Sequence, residues 1–414
     1  MKMPTIAYHT LGCKVNQYET EKIREALERA GFETTAFSSR SDAYVINTCS
    51  VTSIADSKSR AAIRRTLKLN PDAYVVVAGC YAQLEPDQIR TIEGVGLVVA
   101  HEEKDNIPER IIAHFGCTDT HHPTSGGRPR PRMRTRAVVK VQDGCDQFCA
   151  YCVIPYARVG KTSRPLNDVL DELRLLAEFG YKEIVFAGIR LGSYEDGDIR
   201  LPQLIEHATR IDGIERIRLS SIEPWEVGNE LLDTMIHPKV CRHLHIPLQS
   251  GDDDTLRRMN RPYTASDYLG IIERVRARID GIGITTDVIA GFPGETDGEF
   301  NNTCALIELV DFSRLHVFRY SPRPGTRAAA LPGHIDAHAK KLRAQTLIEI
   351  GRRAMIRFAS SQIGNTLEVL AGLTDNYIEV AFAGDAPPKG EIVRARIDGV
   401  DEKGAVQAVL ISNF

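Results

Sequence analysis

Apolar runs and amphipathic stretches alternate over residues 1–117. Apolar runs at 5–11, 43–47 and 74–78 predict three strands, and the third is apolar throughout, as expected of a strand buried on both faces. Helical periodicity at 19–29 and 56–69 predicts two helices, and Gly31 ends the first. Because single helices separate the strands, the pattern favours βαβ units and a parallel, doubly wound, flavodoxin-like sheet.

A longer series of the same kind occupies residues 137–355. Helical patterns separate six candidate strands, at residues 137–142, 183–187, 216–220, 243–248, 284–290 and 315–320. Six strands joined in series by right-handed crossovers predict a partial (β/α)6 barrel, short of the eight strands of a complete barrel.

The last part of the chain is predicted to be all-β. A helix at 337–358 precedes four short strands separated by turn residues, at 367–370, 377–381, 391–397 and 406–411. This spacing is typical of a small β-barrel. We therefore divide the chain into an N-terminal domain at 1–117, a linker at 118–136, a barrel domain at 137–355 and a small β-barrel at 356–414.

Composition excludes several classes of protein. The 414 residues include 52 lysines and arginines against 55 acids, and 43% are hydrophobic, so neither a disordered chain nor a polybasic coat is expected. The sequence has no apolar run long enough to cross a bilayer and no signal-peptide pattern, which predicts a cytoplasmic protein without membrane contact. Nine cysteines are an odd number and too few for a disulfide scaffold, so clustered cysteines are interpreted as metal ligands or redox groups.

One cysteine set is contiguous. Cys145, Cys149 and Cys152 form a C-x3-C-x2-C loop directly after the first barrel strand, at the end where β/α barrels carry their chemistry. Three thiolates this close can hold three corners of an iron–sulfur cube and leave the fourth iron open. A structural zinc requires four closed ligands, and no further cysteine or histidine follows within thirty residues; a disulfide would leave one cysteine over.

The second set is dispersed. Cys13, Cys49 and Cys80 are 36 and 31 residues apart, and each follows a predicted strand by one or two residues. In a parallel sheet all three would emerge at the same carboxyl edge, where helix N-termini favour thiolates and an anionic cluster. A single cysteine of this kind is more often a small buried hydrophobe, but three at one sheet edge favour a metal site.

The contiguous loop carries a family resemblance. C-x3-C-x-Tyr-C after the first strand of a short barrel resembles the radical S-adenosylmethionine superfamily. The resemblance implies a 4Fe–4S cluster whose open iron chelates S-adenosylmethionine, and one-electron reduction that yields methionine and a 5′-deoxyadenosyl radical. It also implies that Tyr151 lies near the adenine of the cofactor, although the same tyrosine could serve packing alone.

A closer resemblance covers essentially the whole chain. The runs LGCKVNQYET at 11–20, NTCSVT at 47–52 and AGCYAQ at 78–83 resemble the N-terminal domain of methylthiotransferases, as does the domain order with a TRAM-type barrel at the end. GCKVNQYE resembles the branch that acts on N6-threonylcarbamoyladenosine in tRNA. The resemblance implies a second 4Fe–4S cluster on Cys13, Cys49 and Cys80.

The activity implied by the family is the methylthiolation of C2 in the adenine next to the anticodon. One S-adenosylmethionine donates the methyl group to sulfur at the second cluster and another supplies the radical. The partners implied are the tRNA anticodon stem-loop and an electron donor such as flavodoxin or ferredoxin. The alternatives are the same chemistry on isopentenyladenosine or on an aspartate of a ribosomal protein, and, in another class, a non-catalytic iron–sulfur electron carrier.

Further candidate cofactor residues lie at predicted strand ends. Gly188, Ser220, Gln249 and Asp287 follow or belong to strands two to five of the barrel and match the family's cofactor-binding segments. Each is equally well explained as an ordinary barrel-end residue. Arg190 stands where the family pattern leads us to expect Asn. His243 and His245 alternate in one strand and are interpreted as hydrogen-bonded barrel histidines.

Basic residues are segregated into three regions, although the net charge is −3. Residues 121–142 contain five arginines and one lysine without an acid, and residues 314–358 contain ten basic residues against two acids. The third region is the set Lys58, Arg60, Arg64, Arg65 and Lys68. Three such regions on an acidic protein favour a phosphate-binding surface for RNA, although the Arg–Pro stretch could be only a solvated linker.

Overall fold

The computed structural model describes residues 3–117, 135–382 and 387–413. Most of the predicted basic linker, including Arg128, Arg130, Arg132 and Arg134, lies outside these residues. Arg136, the last residue assigned to the linker, begins the first barrel strand and pairs with Glu183 at 3.2 Å.

The N-terminal unit is a five-stranded parallel sheet with helices on both faces. Its elements are β1 (Thr5–Thr10), α1 (Lys14–Arg29), β2 (Glu33–Thr35), β3 (Ala43–Thr48), α2 (Ser53–Leu69), β4 (Tyr74–Gly79), α3 (Cys80–Leu84), α4 (Pro86–Arg90), β5 (Val95–Val98) and α5 (Ile107–His114). The strand order 2-1-3-4-5 is the flavodoxin-like order and confirms the predicted class. The sequence pattern missed β2 and β5, because both are short strands at sheet edges.

The central unit contains the six predicted strands as β6, β9, β12, β13, β14 and β15. Its elements are β6 (Arg136–Lys140), β7 (Gln142–Asp143), α6 (Ile154–Ala157), β8 (Thr162–Ser163), α7 (Leu166–Glu178), β9 (Glu183–Ala187), β10 (Glu195–Asp196), β11 (Ile199–Arg200), α8 (Leu201–Thr209), β12 (Arg216–Leu219), α9 (Asn229–Met235), β13 (His243–His245), α10 (Asp253–Arg258), α11 (Ala265–Arg278), β14 (Gly283–Ala290), α12 (Asp297–Val310), β15 (Arg314–Arg319) and α13 (Ala337–Ser360). Short 3₁₀ turns lie at His101–Asn106 of the N-terminal unit and at Leu191–Ser193, Pro224–Glu226 and Arg327–Ala330 of the central unit.

The six strands form an open half-barrel, as predicted. Strands β6, β9 and β12 pair in one sheet and β13, β14 and β15 in another, and the bridges Ile217–Val240 and Ser221–His245 join the two. The first and last strands do not pair with each other among the described residues, so the barrel is open on one side. Helix α1 of the N-terminal unit packs against β6 at this opening.

The C-terminal unit is a curled antiparallel sheet. It contains β16 (Thr366–Leu370), β17 (Leu373–Thr374), β18 (Val380–Phe382), β19 (Ile392–Val400) and β20 (Val406–Asn413) in the order 17-16-19-20-18. A bridge from Leu373 to Glu379 brings the two ends of the sheet together. This shape agrees with the small all-β, TRAM-like unit that the turn spacing predicts.

Each unit has its own apolar core. Two separate clusters cover the faces of the N-terminal sheet, one large cluster fills the space between barrel strands and helices, and a smaller cluster lies inside the C-terminal sheet. In the described part of the chain, none of the helices combines the length and the apolarity that a membrane span requires.

Candidate functional site

The contiguous cysteine set lies in the loop after β7, where each sulfur accepts one N–H donor. The backbone of Gln147 donates to Cys145 Sγ, the backbone of Ile154 donates to Cys152 Sγ, and Arg261 Nη1 donates to Cys149 Sγ, each at 3.4 Å. Donors aimed at sulfur stabilise thiolates, the form of cysteine that binds metal. Three mutually interacting thiols with this donor set fit an iron–sulfur cluster with one iron free of protein ligands.

Two arginines hold this loop to neighbouring strands. Arg261 is almost fully buried, forms an ion pair with Glu223 and stacks over Trp225 at 4.9 Å from the ring centroid. Arg190 pairs with Asp146, which lies between the first two cysteines, at 2.6 Å. The position at which the family pattern predicts Asn therefore holds a residue that anchors the loop.

Burial affects the thiols of both sets in the same direction. It raises the pKa of Cys152 to about 12 and that of Cys49 to about 11, and it also raises the pKa of Cys13 and Cys145. Because only the thiolate is a ligand, metal binding at either set would release protons and become stronger as the pH rises.

The structure brings the dispersed cysteines to one edge of the N-terminal sheet, as predicted. Cys13 follows β1, Cys49 follows β3 and Cys80 follows β4, and the crevice between β1 and β3 is the topological switch point of this strand order. The three thiols interact electrostatically with one another and line a single cavity. This donor set fits a second cluster held by three cysteines.

Hydrogen bonds between the three cysteine loops hold them together. Asn16 Nδ2 donates to the carbonyls of Leu11 and Thr48 at 2.8 and 3.0 Å. Asn47 Nδ2 donates to the Asn16 carbonyl at 3.0 Å, and Thr48 Oγ1 donates to the Ala78 carbonyl at 2.6 Å. The polar residues of the LGCKVNQYET and NTCSVT runs therefore bind the cysteine loops to one another.

Two glycines allow the loops to approach this closely. A Cβ on Gly79 would lie 2.2 Å from the Thr48 carbonyl oxygen, and a Cβ on Gly12 would lie 2.9 Å from Cys49 Sγ. Both residues also have positive φ, of +101° and +97°. Glycine immediately before Cys80 and Cys13 is thus required by contact as well as by conformation.

The cavity that contains the dispersed set extends into the half-barrel. Its volume is about 620 Å³, and besides the three cysteines it is lined by Gly188, Ser220 and Asp287, three of the predicted cofactor residues. Ser220 Oγ is buried and has no hydrogen-bond partner among the described residues. Ile154 and Arg158, which follow the contiguous cysteine loop, also line it, so the cavity that contains the dispersed set extends to the segment next to that loop.

The other two predicted cofactor residues lie outside this lining. Tyr151 packs at the edge of a small apolar cluster with Ile289 and Phe292, and burial raises its pKa well above the usual value. Gln249 has φ of +63°, a strained conformation for a residue other than glycine, and its carbonyl accepts from the Ile289 N–H at 2.9 Å. Both therefore adjoin the fifth-strand segment.

Histidines and one carboxylate form a chain along the barrel wall. His245 binds Thr285 Oγ1 through Nδ1 at 2.8 Å and Asp287 Oδ1 through Nε2 at 3.3 Å, and His316 Nδ1 lies 3.4 Å from the same carboxylate oxygen. Although burial opposes ionisation, these contacts hold the pKa of Asp287 well below its usual value. His245 is hydrogen-bonded as predicted, whereas Nδ1 of buried His243 has no partner among the described residues.

A buried ionic network joins the two cysteine regions. Arg158, fully buried, binds Glu19 of α1 at 2.9 Å and Asp143, which precedes the contiguous loop, at 2.7 Å. Burial alone would raise the pKa of Glu19, but Lys104, Arg158 and Lys140 together hold it far below its usual value. Removing one partner of such a network leaves an uncompensated buried charge.

A second buried arginine joins the two units at the other side of the opening. Arg323 pairs with Asp56 at 2.6 Å and donates to Ser50 Oγ at 2.7 Å, next to Cys49. The half-barrel therefore holds both edges of the dispersed site, and the relative position of the two cysteine sets is set by ion pairs.

Two of the predicted basic regions are described, and they differ. In the region at 314–358, acids pair with Arg314, Arg323, Arg343, Arg352, Arg353 and Arg357. On α2, by contrast, Lys58, Arg64, Arg65 and Lys68 are exposed and form no ion pair with the described residues. The positive charge of residues 314–358 is therefore largely neutralised by ion pairs, whereas α2 keeps an exposed basic face.

Sequence reasoning missed Arg158, Arg261, Lys14 and His316 as site residues. No spacing marks Arg158 or Arg261, because most of their partners are distant in the chain. Lys14 is visible within the GCKVNQYE run, and His316 belongs to a predicted strand.

Comparisons with known proteins agree with this geometry. Residues 5–100 match the model described as "Uncharacterized protein family UPF0004", and residues 139–307 match that of the radical SAM superfamily. Among solved structures, the radical S-adenosylmethionine methyltransferase TsrM from Kitasatospora setae has a TM-score of 0.59 and 18% identity, covering 79% of this chain and 77% of that one. At that identity the likeness concerns the fold alone.

Curated relatives are similar over nearly the full length. The threonylcarbamoyladenosine tRNA methylthiotransferase MtaB of Bacillus subtilis is 38% identical, over 95% of this chain and 94% of its own. Its counterpart in Thermotoga maritima is 37% identical, over 98% and 96%. A tRNA-2-methylthio-N(6)-dimethylallyladenosine synthase of Thermodesulfovibrio yellowstonii is 35% identical, over 84% and 83%.

Proposed function

The chain belongs to the radical S-adenosylmethionine tRNA methylthiotransferase family, as its sequence predicts, and from this premise we propose that it installs a methylthio group on C2 of N6-threonylcarbamoyladenosine next to the anticodon of tRNA. The 4Fe–4S cluster of this superfamily, when bound with S-adenosylmethionine, supplies the electron that generates the adenosyl radical. The units at 1–117, 137–355 and 356–414 would act as one enzyme in this proposal.

The observation that carries the proposal is the shared cavity. Cys13, Cys49 and Cys80 of one unit and Ser220 and Asp287 of the other line the same space of about 620 Å³. A reaction that joins a sulfur atom to a radical-activated base needs both sites within reach of one substrate atom. An electron carrier needs no such space, so the cavity favours an enzyme.

The roles we propose follow from position. Cys145, Cys149 and Cys152 hold the radical cluster, and Cys13, Cys49 and Cys80 hold the second 4Fe–4S cluster. Gly188, Ser220 and Asp287 line the site of S-adenosylmethionine, and Tyr151 and Gln249 support it from the adjoining fifth-strand segment; the buried hydroxyl of Ser220 is suited to a ligand hydrogen bond. Arg158 and Arg323 fix the spacing of the two sites.

The cavity rim is suited to an extruded base. Phe318 and Val51 line it with 42% and 53% of their surfaces exposed, although both are large apolar residues. Enzymes that modify a nucleobase remove it from its stack and hold it against apolar side chains. Helix α2 begins two residues after Val51, so RNA phosphates bound along its basic face would lie roughly 10 to 20 Å from the rim. The one-electron donor we propose is a flavodoxin or ferredoxin.

The direct test is product formation. The anaerobically reconstituted protein would be incubated with S-adenosylmethionine, a reductant and an anticodon stem-loop that carries threonylcarbamoyladenosine. Mass spectrometry of the nucleosides should show a methylthio group in place of one hydrogen. The same stem-loop with unmodified adenosine serves as the control, and a product formed only on a protein substrate would contradict the proposal.

Salt titration tests the RNA surface. Replacing Arg64 and Arg65 by Glu should weaken stem-loop binding and flatten the plot of log affinity against log salt by roughly 0.7 to 0.9 for each phosphate that is no longer neutralised. The matched control reverses the charge of Arg174 and Arg274 on the outer helices α7 and α11, which are remote from the rim. Equal slopes for wild type and the α2 variant would remove α2 from the interface and leave the arginines of the linker, Arg130, Arg132 and Arg134, as the next set to reverse.

A further inference from the structure

Lys14 is a cation of the shared cavity that lacks a counter-ion among the described residues. It lies directly beside Cys13, is exposed, and lines the cavity. Among residues 3–117, 135–382 and 387–413, no acid lies within ion-pair distance of its ammonium. Two other cations near the cavity are already paired: Arg158 with Glu19, and Arg218 with Glu183 at 2.8 Å. Because its ammonium has no counter-ion there, Lys14 is available to form a charge-assisted hydrogen bond with an anionic ligand that enters the cavity.

A second observation in the same space also indicates a ligand. His243 is 4% exposed, lines the cavity and stacks on Tyr377 at 4.1 Å between ring centroids. Its Nε2 is 3.0 Å from Thr285 Oγ1, whereas its Nδ1 is buried without a hydrogen-bond partner among the described residues. Buried polar atoms in native proteins are almost always paired, so a missing partner points to a bound group.

Lys14 lies at a different end of the barrel from the expected site of S-adenosylmethionine. The charges that act on Lys14 include Glu183, Arg218 and Cys13, and Lys14 also acts electrostatically on His243. Glu183 and His243 begin β9 and β13, at the end of the barrel opposite the contiguous cysteine loop. The carboxylate of S-adenosylmethionine would lie at that loop, so Lys14 is available to a different anion.

The chemistry of the proposed substrate supplies such an anion. C2 and N6 of adenine lie on the same Watson–Crick edge, on either side of N1. When C2 approaches the sulfur site beside Cys13, the N6 substituent is close enough to reach Lys14, the next residue of the cavity lining. A threonylcarbamoyl group carries a free carboxylate on this substituent, whereas a dimethylallyl group carries no charge.

We propose that Lys14 and His243 form a subsite of the shared cavity that binds the carboxylate of the threonylcarbamoyl group and so selects this substrate over uncharged N6 substituents. The inference rests on the proposed function. Asp287, an acid in the same cavity, forms no ion pair with Lys14; its carboxylate is contacted by His245 and His316 instead.

The experiment compares two stem-loops that differ only in this group. One carries threonylcarbamoyladenosine, and the other carries the threoninol analogue, in which a hydroxymethyl group replaces the carboxylate. Affinity for the reconstituted protein is measured by fluorescence anisotropy, and KM and kcat by product formation. Because charge-assisted hydrogen bonds are worth more than neutral ones, wild type should bind the carboxylate form roughly 10- to 100-fold more tightly.

The variant K14Q should lose that preference. Its affinity for the carboxylate form should fall by the same factor, its affinity for the threoninol form should change by less than about twofold, and K14R should retain most of the preference. The control K182Q removes one charge from a lysine that pairs with Glu215 at 3.5 Å outside the cavity, and it should keep the wild-type ratio.

The contrary outcomes are distinct. Equal binding of both stem-loops by wild type would overturn the subsite, and so would equal weakening of both by K14Q, which would assign Lys14 to the sulfur site or to the fold. Failure of wild type to methylthiolate either stem-loop would refute the proposed function, while the anisotropy ratio would still decide the subsite.

Discussion

The two cysteine sites are built in opposite ways. Cys145, Cys149 and Cys152 lie within eight residues of chain, so one loop can present all three sulfurs once its backbone is fixed. Cys13, Cys49 and Cys80 span 68 residues and converge only because three parallel strands end at the same sheet edge. The first site depends on a local loop and its anchors, whereas the second depends on the whole N-terminal sheet.

The electrostatic surroundings differ in the same sense. The contiguous loop receives one direct donor on each sulfur, including the buried guanidinium of Arg261 at 3.4 Å from Cys149. At the dispersed site the hydrogen bonds run between the loops through Asn16, Asn47 and Thr48. The first site should therefore respond most to changes of charge, and the second to changes of packing.

The largest expected effect comes from the contiguous site. Replacing any one of Cys145, Cys149 and Cys152 by Ala should abolish reductive cleavage of S-adenosylmethionine, because the cluster loses one of only three protein ligands. The measurement is 5′-deoxyadenosine formed under reduction after anaerobic reconstitution. Cys304→Ala, on α12 outside both sets, is the control and should give the wild-type yield. A wild-type yield of 5′-deoxyadenosine from any one of the three loop variants would contradict the assignment of these cysteines as cluster ligands.

The dispersed site should separate two activities. Replacing Cys13, Cys49 and Cys80 together by Ala should leave cofactor cleavage largely intact and stop methylthiolation. Iron bound per chain should fall to about half, since each set would hold one cube. The matched variant lacks the three cysteines of the loop instead and should lose a similar amount of iron. Unchanged iron after removal of the dispersed set would mean that these cysteines are structural.

Packing should matter more at the dispersed site. Gly79→Ala places a Cβ 2.2 Å from the Thr48 carbonyl at φ of +101°, and we expect it to destabilise the protein by about 3 kcal/mol or more. Gly116→Ala is the control: it has φ of +63° but open space, so only the conformational cost of about 1 kcal/mol applies. Urea unfolding and iron content after reconstitution measure both. If both variants lose the same free energy of unfolding, the contact with the Thr48 carbonyl is not the cause.

Charge should matter more at the contiguous site. Arg261→Gln removes a positive charge beside Cys149, so reduction of the cluster should become harder, with a potential lower by about 60 mV, which is a tenfold change in the one-electron equilibrium constant. Arg261→Lys should retain most of the wild-type value. Potentiometric titration in a background without the dispersed cysteines isolates this cluster. An unchanged potential in the Gln variant would show that the loop donors set it without Arg261.

The sequence predicted the elements that carry local signals. The apolar run at β4, the helix-stopping Gly31 and the C-x3-C-x2-C loop each act over a few residues, so their interpretation needs no knowledge of the fold. The sequence pattern starts α1 at residue 19, five residues after its observed start at Lys14, because no side-chain cap marks Cys13. The order of strands and helices then suffices to place the dispersed cysteines at one edge.

The arrangement of charge was decided by tertiary structure alone. Counted along the chain, residues 314–358 have ten basic residues and two acids, yet six of those arginines pair with acids, most of which lie outside this stretch. Arg158 and Lys14 show that tertiary structure can neutralise a basic residue or leave it unpaired. The first is neutralised by acids 139 and 15 residues away, whereas the second meets no acid among the described residues. Coulomb interactions depend on distance in space, which the sequence does not contain. The sequence therefore predicted the candidate ligands and the fold, and tertiary packing decided the electrostatics of the site.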